Sequence, residues 1–225
     1  MLHIDPRIFE RFPGVYIGVI VARSVNNAKS HPEIQAELLA EAERVRNELN
    51  LETIAQDPRI AAWREIYRGF GSKPSEYRSS IESLCRTVLR GNEVRSVNTL
   101  VDLYNLISLR FMLPAGGEDL NKVVGTVQLT LAGSNEPAMV VLGEDAPEQP
   151  YEGEVIYKDD IGTICRRWNW READRTKLTE ETTDCILVLE GSPAVGREEV
   201  EKASQELAAL LQKYCGAETE VIMSL

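Results

Sequence analysis

Three stretches of the sequence concentrate side chains that could do chemistry. In VNTLVDLYNLISL (97–109), apolar residues cover nearly every side of a helix, as in a buried helix. The polar exceptions are Asn98, Asp102, Asn105 and Ser108, and at about 100° per residue positions 98, 102 and 105 fall within about 60° of one another. A polar stripe on a buried helix must be satisfied internally or line a cleft. Two readings follow: Asn98 and Asp102 tie down a loop, or the stripe, with Tyr104 and Ser108 beside it, lines a ligand pocket. The second stretch is CRRWNWRE (165–172). As a strand it puts Arg167, Asn169 and Arg171 on one face and Arg166, Trp168 and Trp170 on the other. Basic groups beside aromatics suit phosphate contact plus stacking on a base or an aromatic ligand. The competing reading has the tryptophans filling the core and the arginines solvated or paired. The third is KPSEYRSSIESL (73–84), where Ser75 can cap a helix and Glu76 suits its first turn. Arg78, Ser79 and Glu82 lie off its apolar stripe. Such a start, preceded by GFGSK, could hold an anion or be a capped surface helix.

Other chemistries are disfavoured. A Ser-His-Asp or Cys-His site needs a histidine base, and the two histidines, His3 and His31, lie in the terminal segment and in a helix cap, away from these stretches. HExxH, GxSxG, GxGxxG and GxxxxGK[ST] are absent, so no metal and no nucleotide or other cofactor is expected. Cys85, Cys165, Cys185 and Cys215 form no CxxC pair and sit in apolar contexts, as reduced core residues do.

Around these stretches stand the elements that must position them. VYIGVIVA (15–22) reads as a buried strand. A helix follows with a Ser30/Glu33 capping box and the stripe Ile34, Leu38, Val45, Leu49. Asp57-Pro58 opens a second helix that Gly69 ends. A third spans about 76–89 and a fourth about 97–110, broken by LPAGGEDL (113–120). Strands then dominate: VVGTVQLTLA, AMVVLG, GEVIYKD, GTICRRWNW and DCILVLEG, then a helix over 197–214 and a last strand, EVIMSL. This is one α+β domain over residues 1–225, a mostly antiparallel sheet in the second half with flanking helices.

A net charge of −11 makes a poor generic nucleic-acid binder, but the charge is uneven. Residues 68–95 and 161–177 each carry +3, while 143–160 carry −6 and 178–225 carry −7. A local basic face on an acidic body follows. No apolar run approaches the roughly 20 residues that span a bilayer, and the start does not read as a secretory signal. A cytoplasmic protein without a membrane partner is expected.

The same residues carry a family resemblance. GSKPSEYRSSIESLCRTVLRG (71–91), VNTLVDLYNLISLRFMLPAGGEDL (97–120) and GEVIYKDDIGTICRRWNWREADRTKLTEET (153–182) resemble the B3/B4 domain. That is the editing and tRNA-binding domain of the bacterial phenylalanyl-tRNA synthetase β subunit, here in a free-standing form. The likeness is strong over roughly 65–190 and follows the order of elements throughout. The resemblance implies hydrolysis, in trans, of a mischarged aminoacyl-tRNA, contributing to translation fidelity. Its partners would be the aminoacylated 3′ end of a tRNA and the amino-acid moiety it carries. An Asp-x-Thr-Asn core of the synthetase corresponds to Asp102-Leu103-Tyr104-Asn105, with tyrosine in place of threonine. A histidine that follows a proline there corresponds to Gly116 or its neighbour in Pro114-Ala115-Gly116-Gly117. The glutamate that reads the tyrosine hydroxyl falls near Glu172 or Asp174. The implied assignment makes Asp102 and Asn105 catalytic. Asn98, Tyr104, Ser108, Trp168, Trp170 and Glu172 bind substrate, and Arg78, Arg166, Arg167 and Arg171 meet RNA. The alternative is a non-catalytic module that holds an amino acid or an RNA end.

Overall fold

Pairing of Asp with a following Pro starts two of the helices. In the computed structural model, which describes residues 2–28 and 31–224, Asp5 accepts from the backbone N–H of Arg7 to open α1 (Pro6–Arg11). Asp57 accepts from Arg59 and Ile60 N–H to open α3 (Pro58–Gly69). Proline has no N–H to leave unsatisfied in a first turn, so the pair is a strong start signal. Strand β1 (Leu2–Ile4) precedes α1, and β2 (Tyr16–Arg23) and α2 (Pro32–Glu48) lie between the two helices. The expected Ser30 cap lies outside the described residues. Helices α4 (Ser80–Leu89) and α5 (Thr99–Phe111) follow, then β3 (Ala115–Asp119), β4 (Val127–Leu131), β5 (Met139–Val140) and β6 (Pro147–Glu148). The chain continues through β7 (Val155–Asp159), β8 (Gly162–Arg166), β9 (Arg171–Glu172) and β10 (Cys185–Gly191), and ends with α6 (Arg197–Cys215) and β11 (Glu218–Met223).

The fold is α+β. One sheet has the order β11-β2-β10-β3 and is antiparallel throughout, with β2 and β10 paired from Tyr16↔Gly191 to Ala22↔Cys185. The other has the order β1-β4-β7-β8-β9, antiparallel except where β1 runs parallel to β4. Helix α6 packs on the first sheet, α5 on α6 and β3, and α2 on α5. Leu187 and Leu189 of β10 are fully buried, as are Leu100, Leu103, Leu106, Ile107 and Leu109 of α5. Burying apolar surface of this kind is the main drive to fold.

Three local expectations are corrected. The AGGED segment, expected as a break, is strand β3: Gly117 lies so close to β10 that a Cβ there would meet Leu187 Cδ2 at 2.2 Å and the Ile186 carbonyl oxygen at 2.8 Å. Its glycines are there for close approach and not for a turn. Helix α4 starts four residues later than expected. Ser79 caps it, accepting from Glu82 N–H at 3.4 Å, and Ser75 lies in the turn before it. The segment 165–172 is not one strand but a tight hairpin between β8 and β9. Arg167 and Trp168 occupy the left-handed region at φ 48° and 67°, where bulky residues are unfavourable. Trp168 N–H donates to the Val155 carbonyl at 2.7 Å and Arg167 N–H to Glu154 Oε1 at 3.0 Å, which hold that geometry.

Candidate functional site

A cavity of about 440 Å³ opens between the facing sheets. Helix α5 contributes Tyr104 and Asn105. Strand β3 contributes Ala115–Glu118, β10 contributes Ile186, Val188 and Glu190, and the β8–β9 hairpin contributes Cys165 and Trp168 to Glu172. Tyr157 of β7 and Ser80 at the start of α4 complete much of the wall. Apolar walls with a few converging polar groups are the usual character of a small-molecule site.

The polar stripe of α5 divides. Asn105 reaches the cavity, and its amide makes no side-chain hydrogen bond among the described residues. The pocket reading of Asn98 and Asp102 is corrected, because neither lines the cavity and both are spent on hydrogen bonds to the helix start and its flanking loops. Asn98 is the N-cap, accepting from Val101 N–H and donating to the Leu178 carbonyl. Asp102, fully buried, accepts from the Ser96 hydroxyl at 2.6 Å and from Val97 N–H at 3.0 Å. Ser108 also lies outside the cavity; its hydroxyl donates to the Leu113 carbonyl at 2.6 Å, closing the end of α5.

The hairpin divides in the same way. The expectation that Arg166 meets phosphate is corrected. Its guanidinium is buried, donates to both oxygens of the buried Glu154 at 3.0 and 2.9 Å, and also bonds Glu148. Arg167 is buried too, but carries no carboxylate partner at Nε or Nη1. Its guanidinium lies 3.6 Å from the Tyr77 ring centroid and 4.7 Å from that of Trp170, within cation–π range of both rings. Burial, with Arg166 adjacent, pulls its pKa down. Trp170 lines the cavity and meets Tyr77 edge to face. Arg171 sits at the rim in an exposed pair with Glu144 at 2.6 Å. Arg78 is partly exposed, donating to the Ser75 carbonyl at 3.0 Å. Trp168 is fully buried, packed edge-on against Phe12 and Trp63.

Three carboxyl groups line this one cavity. Glu190, on β10, accepts from Tyr157 OH at 2.5 Å, Trp168 Nε1 at 2.9 Å and Asn169 Nδ2 at 2.6 Å. Tyr67 OH in turn donates to Asn169 Oδ1 at 2.9 Å. Burial nevertheless pushes Glu190 up to about 7, against the pull of those three donors. Glu172 accepts only from Gly117 N–H, at 3.3 Å, and burial pushes it up to about 7 as well. It retains some accessible surface, yet protein atoms surround it closely enough to set its solvation. Glu118 is held well above the ordinary carboxylate range, by burial and then by Glu172. A Cβ at Gly116 would lie 3.0 Å from Glu172 Oε1, so a residue without a side chain leaves Glu172 its place. Asp174, the other candidate beside Glu172, lies outside the cavity and pairs with Lys177.

Burial drives the Cys165 thiol well above its ordinary value, so this wall residue is no thiolate nucleophile. The Tyr104 hydroxyl is likewise driven up by burial and stays protonated. What the cavity can supply is a free amide, backbone N–H groups and a carboxyl poised near neutrality. That set can polarise a carbonyl and accept a proton from water.

A model of the B3/4 domain family matches residues 62–216. The chain belongs to the B3/4 domain family. The match takes in every element that lines this B3/4 cavity. Among solved structures, the fold is similar to an N-terminal fragment of the phenylalanyl-tRNA synthetase β subunit from Pyrococcus horikoshii, with a TM-score of 0.54 and 10% identity. That likeness covers 100% of this chain and 54% of the fragment, so the B3/4 chain spans about half its length. No curated protein matches the sequence. Among the described residues, no helix is long and apolar enough to cross a membrane.

Sequence reasoning missed Glu190, Glu118, Asn169 and Tyr157. A glutamate ending the apolar run DCILVLE was the available signal, since a buried carboxyl needs partners. Glu118 was hidden in the segment read as a break.

Proposed function

We propose that the cavity receives the aminoacyl group of a charged tRNA and hydrolyses its ester in trans. The observation that carries this reading is the unengaged Asn105 amide lining the same cavity as Glu172 in a B3/4 chain. Asn105 donates to the ester carbonyl oxygen as it gains negative charge. Glu172, near neutrality, takes a proton from the attacking water. The water oxygen bonds to the carbonyl carbon; the tetrahedral intermediate then re-forms the carbonyl, the bond to the terminal ribose oxygen breaks, and that oxygen takes the proton from Glu172. Free amino acid and uncharged tRNA leave. Tyr104, Trp168 and Trp170 form the walls around the side chain. An aminoacyl ester is already activated, so positioning and charge stabilisation suffice without a protein nucleophile.

The RNA end approaches over Trp170 and Tyr77. Arg171 at the rim and the partly exposed Arg78 offer their guanidinium groups to phosphates, and Arg167 lies against the aromatic rings. Arg64, Arg68 and Lys73, around the neighbouring groove at 64–75, extend the basic face.

Release of amino acid from a panel of correctly charged and mischarged tRNAs tests this. At least one mischarged species should be deacylated, and Asn105→Ala should slow it by roughly 10²–10³-fold, as for loss of an oxyanion donor. Binding that protects the ester from spontaneous hydrolysis would favour the non-catalytic module.

A further inference from the structure

One carboxyl group of the cavity has no task in that mechanism. Glu190 is held by three side-chain donors, and Glu172 has the Gly117 N–H and the water. Glu118, on β3, lines the cavity with 7% of its surface exposed; its Oε2 has no hydrogen-bond partner, and the one donor close to the carboxyl among the described residues is the neutral, buried Thr176 hydroxyl. A buried oxygen of this kind is costly unless something meets it. The basic groups nearby are committed elsewhere: Arg175 grips both oxygens of Asp159 at 2.8 and 2.6 Å, and Arg171 pairs with Glu144. Among the described residues, no three acidic, histidine or cysteine side chains are grouped as metal ligands. The walls also include the aromatic residues Tyr104, Tyr157 and Trp170, a residue type that favours an organic cation.

We propose that the cavity selects an amino acid with a cationic side chain, a guanidinium or an ammonium, and that Glu118 is its receptor. The proposal rests on the aminoacyl reading above and gives it a substrate class. A neutral hydroxyl would meet one oxygen and bring no charge that favours the ionised carboxylates. A cation meets the unpartnered oxygen and attracts all three carboxylates at once. A planar guanidinium also stacks on the aromatic walls and presents paired donors.

Calorimetry with arginine amide and citrulline amide on the full chain tests this. The two share shape and α-ammonium and differ in side-chain charge. Arginine amide should bind about 10- to 100-fold tighter, the range of a charged hydrogen bond. Glu118→Gln should cut that preference to about 3-fold or less, leaving citrulline amide nearly unaffected. Replacing a buried carboxyl that burial keeps protonated by an amide of the same shape should leave the melting temperature nearly unchanged. Equal affinity for the two amides overturns the cation assignment, as does undetectable binding of arginine amide at millimolar concentration. A preference that survives Glu118→Gln overturns the role of Glu118. The same amino acids linked through an amide to 3′-amino-3′-deoxyadenosine separate the two readings. If arginine is preferred but the nucleoside adds no affinity, the cation site stands and the aminoacyl-tRNA reading falls. If the nucleoside tightens arginine and citrulline alike, with no preference between them, the reverse holds.

Discussion

Replacing Glu190 by glutamine should flatten the pH dependence of stability by a calculable amount. Glu190 is buried among Tyr157, Trp168 and Asn169, and its pKa is raised from 4.5 to about 7. A raised folded-state value means the fold binds the proton more tightly than the unfolded chain. Its contribution to stability is therefore full below about 4.5 and lost as pH rises through about 7. At about 1.4 kcal/mol per tenfold, the whole loss is about 3 kcal/mol, of which about 2.5 kcal/mol falls between pH 5 and 8. Glutamine cannot ionise. Its carbonyl can accept from Tyr157 and Trp168, and its amide can donate to Asn169 once that side chain turns, with the Tyr67 hydroxyl accepting in exchange. Urea unfolding of both proteins at intervals from pH 5 to 8 reads the effect. The wild type should lose about 2.5 kcal/mol more than Glu190→Gln across that window. Glu118 and Glu172 titrate in both proteins and largely subtract out. The depressed carboxyls, Asp5, Glu41 and Asp159, lose their contributions only at more acid pH. Parallel curves for the two proteins would refute the reasoning.

Other outcomes follow from the same geometry. Arg166→Ala leaves Glu154 buried and uncompensated, and should cost about 3–5 kcal/mol in urea unfolding. RNA affinity per folded molecule should stay unchanged. Gly116→Ala puts a methyl 3.0 Å from Glu172 Oε1 and should slow deacylation by about 10-fold or more through misplacement, with a near-normal melting temperature. Replacing Lys73 and Arg171 together by alanine should reduce the slope of log affinity for tRNA against log salt by about 1 for each phosphate no longer neutralised. His3→Ala with His31→Ala should leave turnover near wild type, because neither residue lines the cavity.

The helices were legible wherever a start signal and an apolar stripe coincided. Asp57-Pro58 marked α3 to the residue, yet the same pair at Asp5-Pro6 went unread because α1 has six residues, too few for a stripe. The polar stripe of α5 pointed at the cavity through Asn105 alone. Position 98 precedes the first turn, where free N–H groups claim a side-chain oxygen, so Asn98 was taken by the helix itself. Asp102 lies one turn further on and anchors the loop that leads into the helix. The 165–172 hairpin had no sequence signal. Its left-handed residues are arginine and tryptophan, held by Glu154 and Val155 from a distant part of the chain. Glu172 was identified through the family resemblance. Its neighbours Glu118 and Glu190 become visible only when β3 and β10 pair, since they lie 72 positions apart with Glu172 between them.

The claim on which the account turns is that the cavity between the sheets receives the aminoacyl group. Amide chemical shifts of the full chain, recorded with a tRNA acceptor minihelix carrying a hydrolysis-resistant aminoacyl amide, test it directly. The account predicts shifts at Tyr104, Asn105, Gly116, Gly117 and Glu172 that the uncharged minihelix does not produce. Identical shifts from charged and uncharged minihelix, confined to residues 64–78 with the cavity silent, would contradict it.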